Sequence, residues 1–553
     1  MTVAWFAVDA SYAHASLALP LLHAAATAAG IQARWRTVRA TPADSVGAAV
    51  AALARCEPQV VAASLYVFNR RFVLDVLRRL AVVLPDCRIV LGGPECLGDN
   101  LALLRSEPGV TAAFAGEAEQ TFALWLAHWD RPDAWHTIAG LAWRDSDGVC
   151  HGSASGAARA PALAALPLPD TSPFFDWSKP FVLLETARGC QGCCCFCTSC
   201  RTGPVRTRPL EQIRACLERY RERGVREVRV LDRTFNTDPQ RCAELLGLFR
   251  EEFSTLRFHL EIHPALLPDP IRTALQAALP GQLHIEAGLQ TTSAVALRAC
   301  GRGGTGAAAW AGLKFLCGAS NLAVHVDLLA GLPELGLTEI ISDLNALAGL
   351  GPDTIQLEIL KVLPGTPLRR EAAARGIRFA ATPPYEVLET PHIRNAELDR
   401  VRLLSRWIDS LYNRPELHMA VRTAMQQDPS FAQDCLCSLQ VSGRAEQRLS
   451  VRNRFRSLHE YARRRGATAL REQLERDWLA WGLSPETGLA PVTRWRGAVP
   501  ADAACLQARP DVPADEPCRV WHLEQSQDEY WFVCHRSCHG PATDVFRRCL
   551  EHG

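Results

Sequence analysis

The stretch from Glu185 to Cys200, E-T-A-R-G-C-Q-G-C-C-C-F-C-T-S-C, packs six cysteines into eleven residues. Core packing gives no reason for such a density of thiols. Cys190, Cys194 and Cys197 are spaced C-x-x-x-C-x-x-C, which offers three thiolates on one tight loop to a 4Fe-4S cluster whose fourth iron stays open. Cys193, Cys197 and Cys200 share that spacing, so the flanking residues decide between the two registers. Arg188-Gly189 precedes the first set, where glycine lets the backbone turn closely around a cluster, and Phe196 sits just before its third ligand. A zinc ribbon would need two C-x-x-C pairs separated by a long loop, which this run does not supply. Cys193, Cys195 and Cys200 are thereby left without a ligand role.

The loop R-G-C-x-x-x-C-x-F-C, at the end of the apolar run Phe181 to Glu185, resembles the signature of radical S-adenosylmethionine (SAM) enzymes. The resemblance implies that Cys190, Cys194 and Cys197 hold the cluster, that SAM chelates the open iron, and that Phe196 lies near the adenine. It further implies that Glu286 and Gln290 approach the ribose or methionyl group and that Arg302 meets the carboxylate. Gly331, in G-L-P-E, would border the adenine.

Length and composition fit a large multidomain enzyme. At ~150 residues per domain, 553 residues make room for about three or four domains. A formal net charge of +1 gives no global field toward nucleic acid or an anionic membrane, so neither partner is indicated. Met1 to Val8 reads straight into a strand rather than a secretory leader, and no apolar run reaches the length of a membrane span. The 21 cysteines are therefore expected to be reduced, in the cytoplasm.

An α/β fold follows from the periodicity. Residues 1–150 alternate apolar strands (Val3 to Val8, Val60 to Tyr66, Arg88 to Gly92, Val110 to Ala115, Ile138 to Trp143) with helical segments such as Ser16 to Ala29 and Arg71 to Leu84. This predicts a doubly wound, Rossmann-like parallel sheet that binds its ligand at the carboxyl ends of the strands. Beside the cysteine loop, the domain resembles the cobalamin-binding domain of the same superfamily, with Ser64, Leu65, Gly92, Gly93, Gly116 and Glu117 as candidate cobalamin contacts. The D-x-H-x-x-G that would supply an axial histidine is absent. His14, five residues after Asp9, is better read as a hydrogen-bonding residue of its loop than as a cobalt ligand.

Residues 151–180 read as a linker rich in Ala, Gly, Ser and Pro. From Phe181, six strand-like runs (Phe181 to Ala187, Glu227 to Leu231, Arg257 to Ile262, Leu283 to Gly288, Ala323 to Leu329, Thr354 to Leu360) alternate with helices. They predict a partial (β/α)6 barrel of the TIM type over residues 181–385, with its chemistry at the carboxyl ends of the strands. Polar residues gather there, notably Asp232 to Asn236, Glu261 to His263 and Asp327 to Glu334. Residues 386–553 read as a mostly helical domain of unknown function, with Leu398, Val401, Leu404, Ile408 and Leu411 on one face. This face is expected to pack on the barrel. Near the end, Cys534 and Cys538, with Cys505, Cys518 and Cys549, lack a C-x-x-C pair, which favours burial over a second metal site.

As a whole, residues 1 to 410 resemble one subgroup of cobalamin-binding radical SAM proteins, with V-L-D-R-T-F-N, D-L-L-A-G-L-P and P-P-Y-E-V-L among the matching segments. The resemblance implies a methyltransferase that uses methylcobalamin and a SAM-derived radical to methylate an unactivated carbon of a small molecule or peptide. An electron donor of the flavodoxin or ferredoxin type would serve the cluster. Other radical outcomes (cyclisation, rearrangement, methylthiolation) and a corrinoid- or redox-sensing protein remain as alternatives, and no catalytic residue is singled out.

Overall fold

A computed structural model of the chain describes residues 1–11, 13–153, 160–199 and 204–481, and beyond them 483, 489, 493–494, 518–525, 528–535 and 543–549. It divides into two compact units, residues 1–340 with 359–398 and residues 341–358 with 399–553.

The first unit begins with strands β1 (Thr2–Val8), β2 (Arg34–Ala40), β3 (Val60–Ser64), β4 (Arg88–Gly92), β5 (Ala112–Phe114), β6 (Leu141–Arg144) and β7 (Cys150–Gly152). They form one sheet in the order β2-β1-β3-β4-β5-β6-β7. The alternation of side chains along a strand explains the two layers of helices. Val3 and Trp5 of β1 join a core with Leu19, Ala26, Phe122 and Trp125 of the helices Ala18–Ala28 and Glu119–Ala127. On the opposite face, Ala4, Phe6 and Val8 join Val50, Leu53, Phe72 and Leu77 of the helices Val46–Ala54 and Arg70–Val83.

Two strand expectations need correction. The segment Arg34–Ala40, R-W-R-T-V-R-A, pairs in parallel with β1 along its whole length. It has no apolar run because it is an edge strand, and its three arginines, spread over both faces, are all exposed, as charges on a sheet edge discourage further pairing. The run expected at Ile138 to Trp143 becomes a strand only from Leu141 and pairs antiparallel with β5 and β7. The parallel part of the sheet is thus β1 to β5, and a hairpin closes one edge.

The second half of this unit contains β8 (Val182–Leu184), β9 (Ala187–Arg188), β10 (Arg206–Thr207), β11 (Glu227–Val230), β12 (Arg257–Ile262), β13 (Leu283–Gln290) and β14 (Leu322–Ala330), while all but the last residue of β15 (Thr354–Ile359) belongs to the second unit. All six expected barrel runs are strands. β8, β11, β12, β13 and β14 lie side by side and parallel. Leu360, just past β15, returns its N–H to the Ala330 carbonyl at 2.9 Å. Along β13 and β14 every second residue is buried, while His284, Glu286, Gln290, His325 and Asp327 occupy the half-buried alternate positions. One face of the sheet is therefore apolar and the other polar. The short antiparallel pair β9–β10 closes the base of the cysteine segment like a drawstring.

The described part of the linker is tied down. Arg208 Nη1 donates to the carbonyls of Leu163 and Leu166, both at 3.1 Å, and the buried Asp170 pairs with Arg219. A second junction joins the amino-terminal domain to the segment after β15. A Cβ on Gly98 would stand 3.1 Å from Pro364, and one on Gly365 only 2.4 Å from the Leu97 carbonyl oxygen.

In the second unit, helices run at His418–Gln427, Phe431–Val441, Val451–Arg465 and Thr468–Ala480. The expected apolar face of Leu398, Val401, Leu404, Ile408 and Leu411 is buried throughout. Asn413 holds Ile355 by two hydrogen bonds, at 2.9 and 2.8 Å, and Glu416 pairs with Arg454 at 2.6 Å. The helical expectation fails toward the end of the chain, where Thr493–Arg494, Cys518–Glu524, Asp528–His535 and Thr543–Cys549 form an antiparallel sheet. The runs R-V-W-H-L and Y-W-F-V within it are rich in the aromatic and β-branched residues that suit strands. Cys505 and Cys538, and the side chains of Cys518, Cys534 and Cys549, lie outside the described residues. Among the described residues no helix is long and apolar enough to cross a membrane.

Candidate functional site

The cysteine loop springs from the end of β8, and its base is set by Asp232. This buried carboxylate follows β11 and accepts the backbone N–H groups of Thr186 at 2.8 Å and Ala187 at 2.9 Å, together with the Thr186 hydroxyl. Burial pushes its pKa up to about 6 against the pull of those donors. Asn236 plays a matching part for the loop after β12, accepting from the His263 N–H and donating to the carbonyls of His263 and Leu266. The polar run Asp232 to Asn236 thus begins and ends in backbone clamps, with Arg233 and Thr234 between them turned to the site.

Each of the three expected ligand sulfurs receives a donor. The Gly192 N–H points at Cys190 Sγ at 3.3 Å, the Ser199 N–H at Cys197 Sγ at 3.4 Å, and Arg302 Nη1 at Cys194 Sγ at 3.7 Å. The Thr234 hydroxyl lies 3.6 Å from Cys190 Sγ. Burial raises the Cys194 pKa, while Arg302 beside it favours the thiolate. Hydrogen bonds to sulfur are among the levers that tune iron–sulfur clusters, so these three thiols fit the group by their donors as well as their spacing.

The neighbouring cysteines are placed otherwise. Cys193 is exposed. Cys195 is buried, its N–H donates to the Cys300 carbonyl at 2.8 Å, and its own carbonyl accepts from the Leu368 N–H at 2.9 Å. Its thiol also pairs with that of Cys300, which lowers the pKa of Cys195 and raises that of Cys300. Cys195 is an anchor of the loop. Cys200 lies outside the described residues.

Among the residues expected around SAM, the structure groups some and separates others. Arg302 donates to the Gly288 carbonyl as well as to Cys194, and a Cβ on Gly288 would stand 2.9 Å from Gln290 Nε2 and 3.3 Å from Arg302 Nη2. Gln290 adopts a left-handed backbone (φ 73°) at the end of β13, where the register with β14 shifts. Gln290, Arg302 and the cysteine loop therefore meet. Glu286 sits deeper, paired with His259 at 2.7 Å. Its charge helps hold the proton of Asp327, whose pKa is pushed up to about 8, first by burial. Gly331 (φ 80°) ends β14, and a Cβ there would press on Val387 at 3.2 Å. Phe196 is half-buried within the loop.

A cavity of about 380 Å³ opens where the carboxyl ends of β3, β4 and β5 face the cysteine loop. Ser64, Gly92, Gly93, Gly116 and Glu117 line it from one side, and Arg188, Gly189, Thr198, Ser199 and Arg233 from the other. Gly93 (φ 94°) cannot carry a side chain, because a Cβ would lie 2.8 Å from the Leu65 carbonyl oxygen. At Gly92 and Gly116 a Cβ would meet open space. This bare glycine wall fits a large flat cofactor such as a corrinoid. Leu65 is a correction: its side chain is fully buried in the sheet core, and Tyr66, next along, lines the cavity instead. Among the described residues no histidine lines this cavity. His14 is exposed, bonded to Ser11 at 2.7 Å and packed edge-on against Phe181.

Sequence reasoning missed the ion-pair cluster at the cavity wall. Arg188 binds Glu185 and Glu119, and shares Glu117 with Arg206. The signal was present in the pairing of E-x-x-R at 185–188 with E-x-E at 117–119, which only the fold brings together.

The model of the radical SAM superfamily matches residues 184–347. Cytidylyl-2-hydroxyethylphosphonate methyltransferase of Streptomyces wedmorensis is 27% identical over 232 residues, 35% of this chain and 43% of that protein. The cobalamin-dependent radical SAM methyltransferase TokK of Streptomyces tokunonensis is 24% identical over 369 residues, 63% of this chain and 53% of that one. The match therefore spans about half the length of these two relatives. The solved structure of OxsB, a cobalamin-dependent SAM radical enzyme with aqua-cobalamin and SAM bound, superposes with a TM-score of 0.61 at 13% identity, covering 86% of this chain and 78% of that one. Residues 184–347 thus match the radical SAM superfamily, and the fold of the chain is similar to that of OxsB.

Proposed function

We propose that the protein is a cobalamin-dependent radical SAM methyltransferase whose acceptor is an unactivated carbon of a small molecule or peptide. The observation that carries this reading is the shared wall. Arg188, Gly189, Thr198 and Ser199, which flank the three expected ligand thiols, also line the glycine-walled cavity of the amino-terminal domain.

In this reading Cys190, Cys194 and Cys197 would hold the 4Fe-4S cluster, with Gln290, Arg302 and Phe196 disposed around SAM. Ser64, Tyr66, Gly92, Gly93, Gly116 and Glu117 would contact cobalamin. When bound, the cluster with SAM supplies a carbon-centred radical and the corrinoid supplies the methyl group, so the cofactors carry the hard chemistry. The share of the chain is orientation. Asp232 fixes the loop's base, Arg302 ties Cys194 to β13, and the glycines admit a large ring without steric cost. An electron donor of the flavodoxin or ferredoxin type would complete the system.

Anaerobic reconstitution with iron, sulfide and hydroxocobalamin, followed by assay for 5'-deoxyadenosine and S-adenosylhomocysteine from SAM, tests the reading. Cluster and corrinoid uptake with both SAM products supports it. Absence of corrinoid uptake would sink it, and uptake without either product would point to a corrinoid-binding sensor.

A further inference from the structure

Five charged side chains meet between the amino-terminal sheet and the base of the cysteine loop. Arg188 Nη1 lies 2.9 Å from Glu117 and 2.8 Å from Glu119, while its Nε and Nη2 each lie 2.7 Å from Glu185. Arg206 reaches Glu117 and also donates to the Pro161 carbonyl at 2.6 Å. None of the five side chains is more than 14% exposed. A buried network of this kind is weak evidence for stability, because desolvation offsets the attraction, and its better-attested use is to fix one arrangement of the parts it joins.

The parts joined here are the cavity and the loop. Glu117, Glu119, Glu185 and Arg188 all line the cavity. Glu117 follows Gly116, whose left-handed backbone turns the chain there, and Arg188 precedes Gly189 (φ 106°) and then Cys190. A ligand filling the cavity excludes water from the three carboxylates and so strengthens their hold on Arg188. That fixes the chain two residues before the first expected ligand thiol. We propose that the Glu117–Arg188 pair couples the two cofactor sites, so that a corrinoid and the iron–sulfur cluster bind with positive cooperativity. Glu117 and Arg188 are then positioning residues. By thermodynamic reciprocity, the cluster tightens the corrinoid by the factor by which the corrinoid tightens the cluster.

This inference rests on the proposed function, and the experiment separates the two. Hydroxocobalamin is titrated anaerobically into the full chain, with the cluster reconstituted and after its removal, and uptake is followed by visible absorbance. The expected ratio of the two dissociation constants is about five or more, the lower end of typical coupling. Glu117→Gln, which keeps the shape and removes the charge, should bring the ratio close to one. A merely structural defect would weaken both affinities alike and leave the ratio unchanged. Arg39→Gln, which breaks an ion pair with Asp9 and Asp176 outside the network, should keep the wild-type ratio. A wild-type ratio near one overturns the coupling while leaving the functional reading intact, as does an unchanged ratio in Glu117→Gln. Should that variant not fold, Glu119→Gln is read by the same criterion. No corrinoid uptake by either form of the wild type overturns the functional reading and the coupling with it.

Discussion

Arg302 bridges Cys194 and β13: one guanidinium nitrogen points at the Cys194 sulfur at 3.7 Å and the other at the Gly288 carbonyl. An arginine more than a hundred residues away in sequence thus sets the position of the middle thiol of the loop.

Substituting Arg302 should therefore act on the metal before it acts on SAM. Partners that orient a ligand and tune its charge are typically worth about 10- to 100-fold in metal affinity. Arg302→Ala is expected to lower retained iron and sulfide in that range under chelator challenge, with Arg302→Lys intermediate because lysine cannot span both acceptors. Iron analysis and the visible absorbance of the reconstituted protein check it. Iron retention equal to wild type in Arg302→Ala would remove this role.

The cysteines should divide by position. Alanine at Cys190, Cys194 or Cys197 is expected to abolish the reduced-cluster electron paramagnetic resonance signal, whereas alanine at the exposed Cys193 should leave it. Cys195→Ala removes only the thiol paired with Cys300 and keeps both backbone anchors, so it should assemble a cluster on a somewhat less stable fold. Loss of the signal in Cys193→Ala, with retention in Cys190→Ala, would reverse the register.

The glycines of the cavity wall should respond unequally to alanine. At Gly93 the new Cβ meets a backbone carbonyl oxygen at 2.8 Å and the backbone is left-handed. Strain of this kind costs about 1–3 kcal/mol, before the steric contact is counted. At Gly116 the backbone is also left-handed, yet the Cβ has open space, so the loss should stay at about 1–2 kcal/mol, without a steric contact added. Thermal melts of the two variants measure the difference, and equal melting temperatures would contradict it.

Asp327 gives a pH signature. Burial and the neighbouring Glu286 and Glu261 charges raise its pKa from 3.8 to about 8. The folded state accordingly binds a proton that the unfolded state has released, so this group's stabilising share falls as pH rises from about 4 to about 8. Asp327→Asn, which mimics the protonated form, should flatten the decline in unfolding free energy over that window. An unchanged slope in denaturant titrations across those pH values would place the proton elsewhere.

Much of this was legible in the residues, and what was not has physical causes. The six barrel runs were visible because each has enough apolar residues to pack against its helices. The strand Arg34–Ala40 was hidden because an edge strand buries little and its arginines mask the alternation. Leu65 was mistaken for a cavity residue because the sequence shows which residues end a strand but not which way each side chain turns. Asp232 and Asn236 drew attention as polar residues at a strand end, yet their work is to hold backbone. The Glu117–Arg188 pair joins positions far apart in the chain, and no local pattern announces such a meeting.

The close approaches of Gly98 to Pro364 and of Gly365 to Leu97 bear on how this protein can be recombined with its relatives. A chimera that imports an amino-terminal domain alone would bring one half of a closely packed junction. A side chain at Gly365 would collide with the Leu97 backbone, and one at Gly98 would require Pro364 to give way slightly. Exchanges that carry residues 94–98 and 361–366 together should fold, so the working unit of inheritance is the pair of segments and not the domain that the chain order suggests.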